Sequence, residues 1–461
     1  MRSATHDLIS MSLLQPLRRL YRLTRPSLRR AALATGEGLR FREEAAGWSL
    51  DQRREWMLVR LREAVRRACR TTPYYRGLFD AAGFDPRDNF TFDDFAALPT
   101  LERADIHRAG QALVSVTLRP EELKQDATGG STGVPTVVWL GPSERGWRES
   151  GIEHYMRRIG LPCGTRAAAL WGHHLDPKAS DSLGERVRAF VDNSHELDCF
   201  RLSPSALADY HARLERWRPR YLLAYANALG ALAAEVGSRG WRPSYPSQCF
   251  VTGAEKLTPM VRELVQSVFA RPVHERYGSR DVGLIAFQTD PGRTLELEVD
   301  WANVLIEPET CEPVSSILVT KLHGDGMPML RYRIGDVARF PADSRPGHPA
   351  FALEEVLGRD LDRIWLPGGR WIHGIEFPHM MKDHPVREYQ VVQTDDASVM
   401  VRLVPAPAFG EANRAGILRT LRANLDGLPV SLELCDTLPR TRANKVRAVV
   451  SEIAAGRRAE R

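Results

Sequence analysis

The sequence predicts an α/β protein with a helical N-terminal segment, a large α/β domain and a small C-terminal α+β domain. Three observations predict it. At 461 residues, the chain is too long for one hydrophobic core and divides into two or three domains. From about residue 127, short apolar runs alternate with helical segments, the signature of strands and helices packed in layers. Beyond Gly358, two strand-like runs around a turn lead into a helix and a further strand. The implied boundaries are 1–100, 101–357 and 358–461.

The elements follow in order. In Asp51 to Arg70, residues Met57, Leu61, Ala64, Val65 and Ala68 recur at helical spacing, and Pro73 stops that helix. A polar stretch around Asp85 to Asp94 separates it from a second helical element. Thr136 to Leu140, Tyr221 to Ala224, Gln248 to Thr252, Val273 to Arg276 and Ser316 to Thr320 read as strands. Between two of them lies a helix that Thr258 caps and Pro259 opens. Met260, Val261, Leu264, Val265 and Val268 line one of its faces. In the last domain, Tyr389 to Thr394 and Val399 to Val404 flank a turn at Asp395-Asp396. A helix over Glu411 to Leu425 and a strand over Val430 to Leu434 follow.

Composition narrows the function classes. Hydrophobic residues make up 43% and charged residues 26%, as in ordinary globular proteins. No apolar run approaches the ~18 to 20 residues that span a bilayer, so no transmembrane segment is expected. The Arg-rich N-terminus lacks the pattern of a secretory signal. The formal net charge is +6 and no nucleic-acid-binding signature accompanies it, so no nucleic-acid partner is expected. Six widely spaced cysteines form no CxxC pair, which fits a reducing, cytoplasmic setting.

Six short segments can carry chemistry. Thr128-Gly129-Gly130-Ser131-Thr132-Gly133-Val134-Pro135-Thr136 precedes a strand. Its glycines free backbone N–H groups to converge on phosphate oxygens and its hydroxyls add donors, although a plain surface turn has the same composition. It lacks the Gly-Lys-Ser/Thr ending of a Walker loop. Gly253-Ala254-Glu255 directly follows an apolar strand, where ligands of α/β sheets bind; Glu255 also reads as a helix-start carboxylate. In Tyr277-Gly278-Ser279-Arg280-Asp281, an aromatic ring beside a glycine can stack a planar base, and Asp281 can hold Mg²⁺. A buried Tyr beside a loop carboxylate is the competing reading. In Arg331-Tyr332-Arg333-Ile334-Gly335-Asp336, the carboxylate of Asp336 can accept from a ribose diol or pair with a neighbouring arginine. Gly358-Arg359 comes fifth, followed by Asp360 and Asp362. The sixth segment, Pro439 to Arg447, holds Lys445 alone among arginines, a compact charge able to meet a developing phosphate or carboxylate charge or to remain solvated.

In order and spacing these segments resemble the adenylate-forming superfamily. More narrowly the chain resembles the phenylacetate–CoA ligase family, including its capsular-polysaccharide-biosynthesis branch. Thr72-Pro73-Tyr74-Tyr75-Arg76, Phe79 to Gly83 and Leu98-Pro99-Thr100 resemble that family's opening helices, and Tyr221 to Leu229 resembles the capsular branch. The resemblance implies a large adenylate-forming domain and a small C-terminal domain on a hinge. It implies that Gly129 to Gly133 hold the ATP β- and γ-phosphates and that Glu255 and Tyr277, with Gly278, frame the adenine. Asp281 stands in for the usual Glu as Mg²⁺ ligand. Asp336 binds the ribose with help from Arg359, and Lys445 bridges the attacking carboxylate and the α-phosphate. The chain departs from the family pattern at Val134 (usually Lys), Asp281, Leu361 (usually Asp) and Asn444 (usually Gly).

The implied reaction is ATP-dependent activation of a small carboxylic acid as an acyl-adenylate, followed by transfer to CoA, or alternatively to an amine or a carrier-protein thiol. A relative that binds a nucleotide without turnover is a further reading. Trp171, His173, His174, Tyr225 and Asn227 are the candidate walls of the acyl pocket, because such pockets favour aromatic walls.

Overall fold

A computed structural model describes residues 26–87, 89–127, 136–172, 193–359, 363–367, 370–374, 376–381, 384–439, 446 and 448–453. The chain divides into two compact units, Met1–Ile334 with Ala338–Val356, and Gly335–Val337 with Leu357–Arg461.

The large unit opens with helices α1 (Pro26–Glu44), α2 (Leu50–Thr71) and α3 (Pro73–Ala82). Ser49 and Gln52 close a capping box at the start of α2, satisfying two orphan donors reciprocally. The expected stripe of Met57, Leu61, Ala64, Val65 and Ala68 is buried. Pro73 does end α2, and it also starts α3, because its missing N–H costs nothing at a first helical position. Two short helices follow, α4 (Phe92–Ala96) and α5 (Arg103–Ala109). Strands β1 (Lys124–Ala127) and β2 (Val137–Leu140) pair antiparallel, and α6 (Pro142–Arg158) follows directly. Asp325 caps α6 by accepting from the backbone N–H groups of Ser143 at 2.9 Å and Glu144 at 3.1 Å.

An eight-stranded sheet forms the framework of this unit. Its strands are β3 (Ala167–Trp171), β4 (Ser194–Asp198), β5 (Tyr221–Tyr225), β6 (Cys249–Gly253), β7 (Val273–Ser279), β8 (Gly283–Phe287), β9 (Leu297–Val299) and β13 (Ala352–Leu353), in the order β13-β9-β8-β7-β6-β5-β3-β4. From β4 to β7 the neighbours are parallel, and from β7 to β13 they are antiparallel. Helices α7 (Pro204–Trp217), α8 (Ala226–Ser238) and α9 (Pro259–Phe269) make the crossovers between successive parallel strands. Leu207, Leu214, Leu222, Leu229, Leu232, Phe250 and Val265 join helices and strands in one core. Thr258 caps α9 by accepting from Val261 N, with Pro259 at its first position, as the sequence predicts. A four-stranded sheet of β10 (Val304–Pro308), β11 (Val314–Lys321), β12 (Tyr332–Arg339) and β14 (Glu355–Arg359) follows, and the division between the units falls within β12 and β14.

The small unit holds β15 (Arg363–Trp365) paired with β16 (Trp371–His373), then the short helix α10 (Glu376–Met381). Strands β17 (Val386–Gln393), β18 (Val399–Pro405), β19 (Val430–Leu434) and β20 (Val449–Ser451) form a second sheet in the order β19-β18-β17-β20. With α11 (Glu411–Asn424) it closes a core of Phe377, Val391, Val401, Leu403, Ile417, Leu421 and Val449. The chain is therefore α/β with a small α+β unit at its C-terminal end. Among the described residues, no helix is long and apolar enough to cross a membrane.

Candidate active site

The carboxyl ends of the parallel strands place side chains in register. Leu170 pairs with Ala224 and Tyr225 with Gly253, while Thr252 pairs with Glu275. Trp171, Tyr225, Gly253 and Arg276 therefore form one row across β3, β5, β6 and β7. In parallel strands, residues in one row point to the same face. The ring of Trp171 meets that of Tyr225 edge-on, with centroids 4.4 Å apart. The Tyr225 hydroxyl donates to the Gly172 carbonyl at 3.4 Å, and burial pushes its phenol up to about 12, so it stays a neutral donor.

Beyond β6 the chain turns through Ala254, whose φ is +65°, and presents Glu255. The Glu255 carboxylate accepts from the backbone N–H of Asn227 at 3.0 Å. That N–H is one of the orphan donors in the first turn of α8, so Glu255 serves the start of a helix other than the one that follows it. Asn227 itself is exposed. Of the five predicted pocket residues, Trp171 and Tyr225 are in contact, Asn227 lies in the first turn of α8, which follows Tyr225, and His173 and His174 lie outside the described residues.

The segment after β7 is held from several directions. A bulge falls between Tyr277 and Gly278. A Cβ on Gly278 would come within 2.3 Å of the Gly283 carbonyl oxygen, so only glycine fits the close approach of the two strands. Tyr277 is half-buried and packs at the edge of the main core. Arg280 donates to the carbonyl of Ala127, the last residue of β1, at 3.1 Å. This ties the segment to the chain just before Thr128. The carboxylate of Asp281 is 1% exposed and accepts from the Tyr332 hydroxyl at 2.9 Å. Burial, followed by the nearby Asp281 charge, pushes the Tyr332 phenol well up.

Arg148 of α6 holds the same segment by its main chain. It donates to the carbonyls of Arg280, at 2.9 Å, and of Asp281. Arg148 is in turn paired with Glu144 at 2.6 Å, and the same Glu144 oxygen takes Lys321 at 2.9 Å. Burial lowers the pKa of Lys321, and Glu144 opposes that shift. Sequence reasoning missed Arg148, Glu144 and Lys321. Arg148 stands 133 residues from Asp281, and no local pattern marks the pair.

In the small unit, Arg359 donates to Asp336 at 3.1 Å. The arginines beside Asp336 in sequence are engaged elsewhere: Arg331 pairs with Glu307 at 3.1 Å and Arg333 with Glu102 at 2.7 Å. Asp336 thus takes a hydrogen bond from Arg359, the residue the resemblance names beside it, while its sequence-neighbour arginines are engaged with other carboxylates. Thr128, Gly129, Gly130, Ser131, Thr132, Gly133 and Val134 lie outside the described residues. So do Asp360, Leu361, Asp362, Asn444 and Lys445.

Among the described residues, no group of three or more His, Cys, Asp or Glu side chains gathers as a metal site. Asp281 is a lone carboxylate with one oxygen already bonded to Tyr332. That donor set fits Mg²⁺, which typically takes one or two carboxylates and completes its shell with phosphate oxygens and water.

No protein-family model matches the chain. Among curated proteins, it is 20% identical over 367 residues to protein CapK of Staphylococcus aureus, covering 77% of this chain and 80% of that protein. It is 23% identical over 433 residues to the phenylacetate-coenzyme A ligase of Thermus thermophilus, covering 85% of this chain and 94% of the relative. Among solved structures, 2-hydroxyisobutyryl-CoA ligase in its postadenylation state shares the fold with a TM-score of 0.68 at 18% identity, over 90% of this chain and 92% of that one. In sequence the chain is thus similar to phenylacetate–CoA ligases and to CapK, and in fold to an acyl-CoA ligase, the same likeness that the order of the six segments carries.

Proposed function

We propose that this chain is an AMP-forming ligase that activates a small carboxylic acid with ATP as an acyl-adenylate and then passes the acyl group to CoA. One observation carries the reading furthest. The carboxyl ends of the adjacent strands β5, β6 and β7 carry Tyr225, Glu255 (two residues past β6) and Tyr277, and Arg280 ties that edge to Ala127, next to the Gly/Ser/Thr segment. Ligands of open α/β sheets bind beyond the carboxyl ends of such strands.

A carboxylate is a poor acyl donor because its leaving group is oxide or hydroxide. In adenylation, a carboxylate oxygen attacks the α-phosphorus of ATP, the bond to the bridging oxygen breaks, and pyrophosphate leaves with the electron pair. Attack of the CoA thiolate on the acyl carbon then expels AMP. No protein nucleophile is needed, and rate comes from positioning and from neutralising charge. In this reading, the N–H groups of Gly129 to Gly133 meet the β- and γ-phosphates. Glu255, Tyr277 and Gly278 frame the adenine, Asp336 and Arg359 take the ribose, and Lys445 bridges the carboxylate and the α-phosphate. Asp281 is the residue that would hold Mg²⁺, whose contribution is to neutralise phosphate charge. Trp171 and Tyr225 wall the acyl group. A cytoplasmic setting belongs to the same proposal.

ATP–pyrophosphate exchange across a panel of aryl and short acyl acids tests the reading. Lys445→Ala is expected to lower exchange about 10²- to 10³-fold, the scale of one electrostatic contact to the transition state. Near-normal exchange in that variant refutes the role of Lys445, and no exchange with any acid refutes the activity. Product analysis with CoA, amines and carrier proteins decides the acceptor.

A further inference from the structure

The row at the strand ends contains a cation with no carboxylate paired to it among the described residues. The buried arginines Arg42 and Arg331 are paired with Asp300 at 2.7 Å and Glu307 at 3.1 Å, and the half-buried Arg262 has Glu275 at 3.7 Å; Arg276, the cation of the row, is half-buried too. Its guanidinium lies 5.8 Å from the centroid of the Trp171 ring. Among the described residues, no carboxylate or carbonyl accepts a hydrogen bond from its side chain. Its one charge-coupled neighbour is the Tyr221 phenol, and burial pulls its pKa below the ordinary guanidinium value. A guanidinium has five donors in a planar fork that matches an oxyanion. Contact with an indole face compensates only part of what its desolvation costs.

The glycine beside it shapes the space. A Cβ on Gly253 would lie 3.6 Å from the Arg276 Nε and 3.6 Å from the Trp171 Cη2. Gly253 therefore leaves about a methyl's width between the indole and the guanidinium, and a longer side chain there would run into both. Tyr225 closes the row beside Trp171. Apolar walls with one cationic end suit an acyl chain that carries charge away from its reacting carboxylate.

We propose that the acid activated here carries a second anionic group and that Arg276, beside Trp171 and Gly253 in the strand-end row, receives it. This inference rests on the adenylation reading and on Trp171 and Tyr225 lining the acyl pocket. It names the substrate class as dicarboxylic acids or acids of equivalent charge. Arg276 is a specificity determinant that touches the distal end of the substrate and takes no part in the attack on phosphorus.

The test is ATP–pyrophosphate exchange with succinate, glutarate and adipate against butyrate, pentanoate and hexanoate, and with 4-carboxyphenylacetate against phenylacetate. The wild-type chain is expected to prefer the doubly charged acids by roughly 10²-fold or more in kcat/KM, the scale of a desolvated charge pair. Arg276→Gln should abolish that preference while exchange with the monocarboxylates persists, which also reports that the variant folds. Arg276→Lys should retain part of it. A wild-type preference for monocarboxylates overturns the inference and leaves the adenylation reading standing. So does an equal loss with every acid in Arg276→Gln, which would place Arg276 at the reacting centre or in the scaffold. Absence of exchange with every acid overturns the adenylation reading and this inference with it.

Discussion

Substituting Glu144 by Gln is expected to destabilise the large unit and to loosen the Arg280–Asp281 segment together. The Glu144 side chain is 3% exposed and one of its oxygens serves both Lys321, at 2.9 Å, and Arg148, at 2.6 Å. Gln keeps the shape and removes the charge, which leaves two buried cations without their shared anion. Breaking a buried pair by removing one partner costs about 3 to 5 kcal/mol. Among the described residues, Lys321 then keeps a contact of 3.5 Å to the Met327 carbonyl and the nearby Asp281 charge, so the cost falls within that range. Arg148 keeps its two carbonyl acceptors but loses the group that orients its fork. Urea denaturation should show the loss as a lower midpoint with an unchanged m-value, and pyrophosphate exchange should fall through the loosened segment. The double variant Glu144→Gln, Lys321→Met should recover part of the stability, because it removes one stranded charge. A loss below about 1 kcal/mol in the single variant, or no recovery in the double one, would refute the argument that this triad is a desolvated unit.

Three further outcomes are expected. Burial raises Glu275 from 4.5 to about 7, and Arg262 and Lys256 only partly oppose the shift. The folded chain then holds that proton where the unfolded chain has lost it, so stability is full below pH 4.5 and falls by roughly 3 kcal/mol as pH rises through 7; denaturation midpoints of Glu275→Gln against pH should lack that slope. Gly278→Ala should yield insoluble or strongly destabilised protein, because its Cβ would meet the Gly283 oxygen at 2.3 Å with backbone on both sides; a soluble variant with an unchanged midpoint would contradict the close approach. Asp336→Ala should raise the KM for ATP about 10- to 100-fold, the worth of hydrogen bonds to a charged acceptor, and remove the 3.1 Å contact to Arg359; an unchanged KM would remove Asp336 from ribose binding.

Local pattern determined much of this protein. The α/β class, the strands at Tyr221, Val273 and Val430, the Thr258-Pro259 helix start and the stripe along α2 were legible because caps, prolines and hydrophobic period act within a few residues of chain. The six candidate segments stand out in the sequence for the same reason, since each is a short run whose residue types suggest a chemistry; their roles belong to the proposal. Partnership was not. Asp281 meets Tyr332 across 51 residues and Arg148 across 133, and Asp336 turned from the arginines beside it to Arg359. Glu255 settled at the start of α8 rather than at the helix after it. Arg276 has no carboxylate partner among the described residues, and only the register of the strands sets it beside Gly253 and Trp171. Which charge meets which is decided by burial and long-range packing, because a desolvated ion takes whatever partner the fold brings within reach, and sequence spacing carries no record of that distance.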